Sequence, residues 1–177
     1  KHESIVSYAQ RMGKDIAHPN PVLIGLSFGG MMSIEIAKII PVEKIILLSS
    51  VSTLHELPLY MKIAGGLHLN RLIPMKPYSI LEPLENYNLG VTPPAPTPLT
   101  RDYRKKLNLQ YSNWAIDQVV TWKNEIIPTK LVHIHGTKDH IFPIKYIKNP
   151  DYIIRGGGHL LSMNNAEEVS NILKLIV

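Results

Sequence analysis

The sequence predicts an α/β protein, a parallel sheet with flanking helices and a helical cap insertion. Three observations carry that prediction. Val22-Leu23-Ile24 and Lys44 to Ser50 (KIILLSS) are continuous apolar runs of the kind that strands buried on both faces produce. Between them Met31, Met32, Ile34, Ile36, Ala37, Ile39 and Ile40 make an almost wholly apolar helix that Pro41 stops. Strand, helix and strand in that order form a crossover unit, right-handed when the strands are parallel.

The remaining elements follow in chain order. From Glu3 to Ile16, residues Ile5, Tyr8, Ala9, Met12 and Ile16 recur at helical spacing, which predicts an amphipathic helix leading into the first strand. From Leu54 to about Thr100 the pattern turns mixed and proline-rich, with Pro74, Pro77, Pro83 and the run Pro93-Pro94-Ala95-Pro96-Thr97-Pro98. A stretch that long is an insertion rather than a connection. Leu99 to Asn124 returns to helical spacing through Leu107, Tyr111, Trp114, Ala115, Val119 and Trp122, and Pro128 marks its exit. Lys130 to His135 is the third strand and Tyr152 to Ile154 the fourth. A last helix from about Asn165 to Val177 carries Val169, Ile172, Leu173 and Ile176 inward. The core is thus assigned to 1–53 and 129–177, and the cap with its return helix to 54–128.

Composition narrows the function. At 177 residues, 45% apolar and 19% charged, the chain is globular and long enough to bury a proper core. No apolar run reaches the ~18 residues of a membrane span, and no charged-then-apolar leader opens the chain. A soluble, cytoplasmic protein is expected, although zero cysteines suit cytosol and periplasm alike. A net charge of +5 is modest, and the one tight basic cluster is Arg101, Arg104, Lys105 and Lys106. Scattered lysines without interleaved aromatics argue against nucleic acid. The cluster reads as a solvated helix face, with an acidic substrate or an acyl-carrier partner as the alternative.

Three strand ends each offer one polar residue. Gly25-Leu26-Ser27-Phe28-Gly29 places Ser27 at the apex of a strand–turn–helix, where Gly25, Gly29 and Gly30 supply the small residues that let strand and helix pass closely. Asp139 follows the third strand and His159 the fourth. The carboxyl ends of parallel strands share one edge, so the three can converge there. A serine hydroxyl becomes a nucleophile when an imidazole takes its proton and a carboxylate orients that imidazole. Asp139 could instead be a turn aspartate, and His159 a loop residue after three glycines. His133 and His135 alternate onto one strand face, where a structural role outweighs metal ligation by two imidazoles alone.

GLSFGG at 25–30, GTKDHIFP at 136–143, GGGHLL at 156–161 and the chain order Ser, Asp, His resemble the α/β-hydrolase superfamily. The resemblance implies Ser27 as nucleophile, Asp139 as acid, His159 as base, and the Phe28 N–H as an oxyanion donor. It implies a carboxylic ester hydrolase with a small or medium substrate and no cofactor. Thioesterase, peptidase or C–C hydrolase activity on the same fold, or a non-catalytic binding module, are the alternatives. Members of that superfamily carry four further strands ahead of the helix at which this chain opens, with a loop that supplies a second oxyanion donor. This sequence is therefore expected to be part of a longer chain, its strands forming one contiguous half of the sheet.

Overall fold

Four parallel strands stand side by side in chain order: β1 (Val22–Leu26), β2 (Lys44–Leu48), β3 (Leu131–Gly136) and β4 (Tyr152–Ile154). The computed structural model describes residues 3–71, 87 and 108–177. Leu23 lies opposite Ile45, Ile45 opposite Leu131, and Ile134 opposite Tyr152. Side chains alternate along each strand, so Leu23, Ile45, Leu47 and Leu131 enter one core while Val22, Ile46, Leu48, Val132, Ile134 and Ile154 enter another.

The first core is closed by α1 (Ile5–Lys14), α2 (Phe28–Ala37) and α4 (Leu109–Thr121). Helix α1 begins at Ser4, whose Oγ accepts from the Ser7 N–H, and it buries Ile5, Ala9 and Gly13 as one stripe. Helix α2 has no polar face. Its buried residues run unbroken from Gly30 to Ile36, and even Glu35 is only 4% exposed. The Glu35 carboxylate accepts from Trp122 Nε1 at 2.8 Å and from Lys38 Nζ at 2.6 Å, which satisfies a charge that burial would otherwise penalise. The helix ends at Ala37 rather than continuing to Pro41. The N–H groups of Ile39 and Ile40 both donate to the Ile36 carbonyl in a closing turn, because the ring of Pro41 disfavours a helical residue before it.

Helix α3 (Leu59–Gly66) packs on α4, with Gly65 against the backbone of Val120. Helix α4 starts at Leu109, where Asn108 caps it by accepting from the Tyr111 N–H. Trp114, Val119 and Trp122 join the first core, so the return helix packs on the sheet layer. The earlier part of the expected 99–124 helix, the prolines from Pro74 to Pro98 and the cluster Arg101, Arg104, Lys105 and Lys106 lie outside the described residues.

The second core is closed by α5 (Leu161–Asn164) and α6 (Ala166–Ile176) through Leu161, Val169, Ile172, Leu173 and Ile176. The single turn of α5 was not expected from the sequence. It has no side-chain cap. Among the described residues no helix is long and apolar enough to cross a membrane.

Candidate active site

Ser27 joins β1 to α2 with φ 52° and ψ −121°, a backbone conformation that costs a non-glycine residue free energy. Three hydrogen bonds hold it there. The Ser27 N–H donates to the Leu48 carbonyl at 2.9 Å, and the Ser27 carbonyl accepts from the Gly30 N–H at 2.9 Å and from Ser50 Oγ at 2.7 Å. A Cβ on Gly25 would collide with the backbone of Gly29 and Gly30, and one on Gly30 with Ser50, whereas Gly29 faces open space. The need for small residues therefore falls on Gly25 and Gly30. The expectation that Gly29 shares it is corrected.

After β3 the chain turns so that Asp139 Oδ1 accepts from the N–H groups of Ile141 and Phe142, both at 2.9 Å. Asp139 closes its own turn in this way. The Thr137 N–H donates to the Ile154 carbonyl and the Lys138 N–H to the Gly157 carbonyl, at 3.0 and 2.8 Å, lashing this loop to the one after β4. That second loop delivers His159. Its Nδ1 lies 2.9 Å from Asp139 Oδ2 and 3.1 Å from Oδ1, and its Nε2 lies 2.8 Å from Ser27 Oγ. Asp139 and His159 are each 3% exposed, and the Phe142 ring meets the imidazole edge to face at 5.6 Å. The three residues named from the sequence thus stand in one hydrogen-bonded line. Asp151 and Asp117 stand elsewhere: Asp151 accepts from the His133 N–H, and Asp117 from Asn70 Nδ2.

Phe28 opens α2, where first-turn N–H groups have no acceptor within the helix and the helix dipole is positive. Its N–H is adjacent to Ser27. Its ring packs edge to face on Trp114 at 5.6 Å and Tyr111 at 6.5 Å, an aromatic group beside the serine. Tyr87 stacks on His140 at 4.4 Å, next to the carboxylate. Partial burial pushes the Tyr60 phenol pKa up, and negative charge at Tyr146 and Asp139 adds to the shift. A surface groove of about 660 Å³ between β4 and α6, with Tyr152, Asn165, Glu168 and Ile172 in its lining, contains none of Ser27, Asp139 or His159.

His133 and His135 lie buried beneath this end of the sheet, edge to face at 5.2 Å. Burial, and then the neighbouring imidazole, push His133 down to about 3; burial lowers His135 as well. Both rings are therefore neutral at ordinary pH. Among the described residues no group of three or more His, Cys, Asp or Glu could hold a metal ion. Two further polar residues that sequence reasoning passed over are Ser50, which grips the Ser27 carbonyl, and Glu56. The Glu56 carboxylate, fully buried, accepts from the Ser52 N–H, Ser52 Oγ and the Lys148 N–H. Neither carries a local sequence signal, since Ser50 reaches the serine turn and Glu56 reaches Lys148 across separate loops.

No family model matches the chain, and no curated protein sequence matches it. Solved structures do. It is similar to a lipase-esterase related protein from Clostridium acetobutylicum, 18% identical over 100% of this chain and 78% of that one, with a TM-score of 0.63. It is similar to a thermophilic esterase from Thermogutta terrifontis, 16% identical over 98% of this chain and 72% of that one, with a TM-score of 0.63. An α/β-hydrolase enzyme from the metagenome of lagoon sediments at Mar Chica, Morocco, is 17% identical over 97% of this chain and 68% of that one, with a TM-score of 0.55. Identities this low carry architecture alone, and in architecture they agree with the sheet described above: the chain has the α/β-hydrolase fold.

Proposed function

We propose that this chain is a serine hydrolase that cleaves a small or medium carboxylic ester through an acyl-enzyme. The observation that supports it best is the line from Ser27 Oγ through both nitrogens of His159 to Asp139, at 2.8 and 2.9 Å. A carboxylate only accepts, so His159 Nδ1 carries the proton and the Nε2 lone pair faces the serine hydroxyl. Oγ attacks the ester carbonyl carbon as its proton passes to Nε2, and the carbonyl π pair moves onto oxygen. The Phe28 N–H receives that oxyanion. Collapse expels the alcohol, which takes the proton from His159. Water then gives a proton to Nε2, attacks the acyl carbon and returns Ser27, releasing the acid. Every step uses protein groups and water. The aromatic rings of Phe28, Tyr111 and Trp114 suit an apolar portion of the substrate.

A fluorophosphonate probe tests the reading, since it labels an activated serine and spares an ordinary one. We expect labelling of the protein at Ser27 and none in Ser27→Ala, with ester turnover in that variant down by at least roughly 10³-fold. Turnover retained by Ser27→Ala would remove Ser27 from the mechanism. An unlabelled but folded parent protein would favour a non-catalytic binding module on the same fold.

A further inference from the structure

The buried imidazoles of His133 and His135 continue the line of hydrogen bonds beyond Asp139 and return it to Ser27. His135 Nε2 is 2.8 Å from the Phe142 carbonyl, and the Phe142 N–H holds Asp139 Oδ1 at 2.9 Å. His135 Nδ1 is 3.2 Å from His133 Nε2, which is also 3.1 Å from the Ser50 carbonyl. Ser50 Oγ in turn donates to the Ser27 carbonyl. The loop after β1, the loop after β2 and the acid loop after β3 are thus joined in one closed circuit beneath the reacting groups.

Carbonyl oxygens can only accept, which fixes the protons. Both rings must carry hydrogen on Nε2: that of His135 points at Phe142, and that of His133 is shared between Ser50 and the lone pair on His135 Nδ1. One neutral tautomer for each ring satisfies every contact. A proton added to His135 Nδ1 would oppose the His133 Nε2–H, and the pair would separate. The charged or titratable groups around His135 are His133 on its own strand, Asp139 and His159 from the loops above, and Glu56 from the loop after β2.

We propose that His133 and His135 are positioning residues, a neutral imidazole pair that fixes the acid loop against the serine turn so that Asp139 and Ser27 keep one spacing to His159. The proposal rests on the hydrolase reading for its kinetic consequence but not for its geometry. Hydrogen bonds of this kind polarise one another in a dry interior, and an unpaired member there is costly. Spacing errors of about 1 Å at reacting groups cost roughly 10²-fold in rate. His135 touches no reacting atom and acts through Phe142 and Asp139.

Heteronuclear NMR of the imidazole nitrogens in the parent protein tests the circuit directly. We expect both rings as the neutral Nε2–H tautomer from about pH 5 to about pH 9. A Nδ1–H tautomer at His135, or titration of either ring in that range, overturns the proposal. Two variants test the consequence. His135→Phe fills the space without a donor, and we expect kcat to fall roughly 10- to 100-fold with KM little changed, together with loss of the hydrogen-bonded Nδ1–H proton signal of His159. His135→Gln, whose amide N–H reaches the Phe142 carbonyl, restores most of kcat and that signal. Equal losses in the two folded variants, or parental kcat and signal in His135→Phe, would reduce the pair to space filling. If the variants do not fold, the tautomers in the parent protein decide the matter. If the parent neither labels nor turns over esters, the hydrolase reading fails, while the His159 proton signal in the two variants still judges the positioning.

Discussion

The carboxyl end of the sheet and the core beneath α6 are built on opposite terms. At the carboxyl end Ser49, Ser50, Glu56 and His135 are wholly buried, Asp139 and His159 nearly so, and directed hydrogen bonds join loops far apart in the chain. Beneath α6 the cluster of Ile46, Leu48, Ile134, Ile154, Leu161 and Val169 is entirely apolar. Burial there is non-directional and scales with area. A sheet of four strands therefore keeps its tolerance on one face and its geometry at one end. Damage to the first region should appear as lost chemistry in a folded protein, and damage to the second as lost stability in an intact site.

The largest expected effect tests the first half of that contrast. Asp139→Asn keeps the shape of the acid loop but can donate to His159 Nδ1, favouring the wrong tautomer. Ester turnover should drop by about 10⁴-fold while the urea midpoint moves little. A loss of less than about tenfold would place Asp139 outside the mechanism. The counterpart is Ile46→Ala, at a fully buried position of β2. Unfolding free energy should fall by about 2–5 kcal/mol, with kcat of the folded fraction unchanged. If kcat falls instead, the two regions are not separable.

Acid sharpens the contrast. Unfolded, His133 binds a proton below about pH 6.5, whereas folded it resists protonation down to about 3. Between those values unfolding takes up a proton, so the stability contributed by the neutral ring is complete above the unfolded pKa and drains away as pH falls. The drain approaches about 1.4 kcal/mol per pH unit for one such ring. His135, also shifted downward, acts in the same sense. Urea titrations at neutral pH and near pH 5 should show a smaller acid loss in His133→Phe than in the parent; equal losses would mean that the acid sensitivity arises elsewhere. The smallest effect concerns the serine turn. Ser27→Gly relieves a strained φ of 52° and should stabilise the protein by about 1 kcal/mol while abolishing labelling. A destabilised glycine variant would show that the turn holds no strain worth relieving.

Much of this fold is legible in the sequence because parallel strands buried on both faces leave continuous apolar runs. Lys44 to Ser50 is read that way and found as β2, buried from Ile45 to Leu48, whereas the outer strands β1 and β4 leave Ile24 and Ile153 half-exposed, so the expectation of a buried strand at Val22 to Ile24 is corrected. Helix α2 is legible for the same reason, being apolar all round. The buried Glu35 inside it is not, because its partner Trp122 lies 87 positions away. Helix α5 is equally hidden: four residues without a side-chain cap give no period to detect. At the site, Ser27, Asp139 and His159 were singled out by short motifs and by the geometry of parallel strand ends. Ser50, Glu56 and the Phe142 carbonyl were not, since their importance lies in contacts between loops rather than in residue type. His133 and His135 were visible as a pair on one face, but the direction of their protons needed the carbonyls of Ser50 and Phe142.

The bond between Ser27 and His159 spans 132 positions of the chain, and that distance bears on how the molecule assembles. The α1–β1–α2–β2 segment has local contacts between α1 and α2 and between β1 and β2 with which to order early, whereas the loop bearing His159 must close over most of the sequence before it meets its partner. The proposed base, His159, arrives with the three-residue strand β4, the shortest in the sheet. Such a piece belongs to the class of elements that open on their own, at less cost than global unfolding. The serine turn therefore waits, already strained, for the last part of the chain. On the proposed mechanism, reactivity at Ser27 would report whether that closing step has happened, and fraying of β4 would silence the site while the rest of the sheet stays folded.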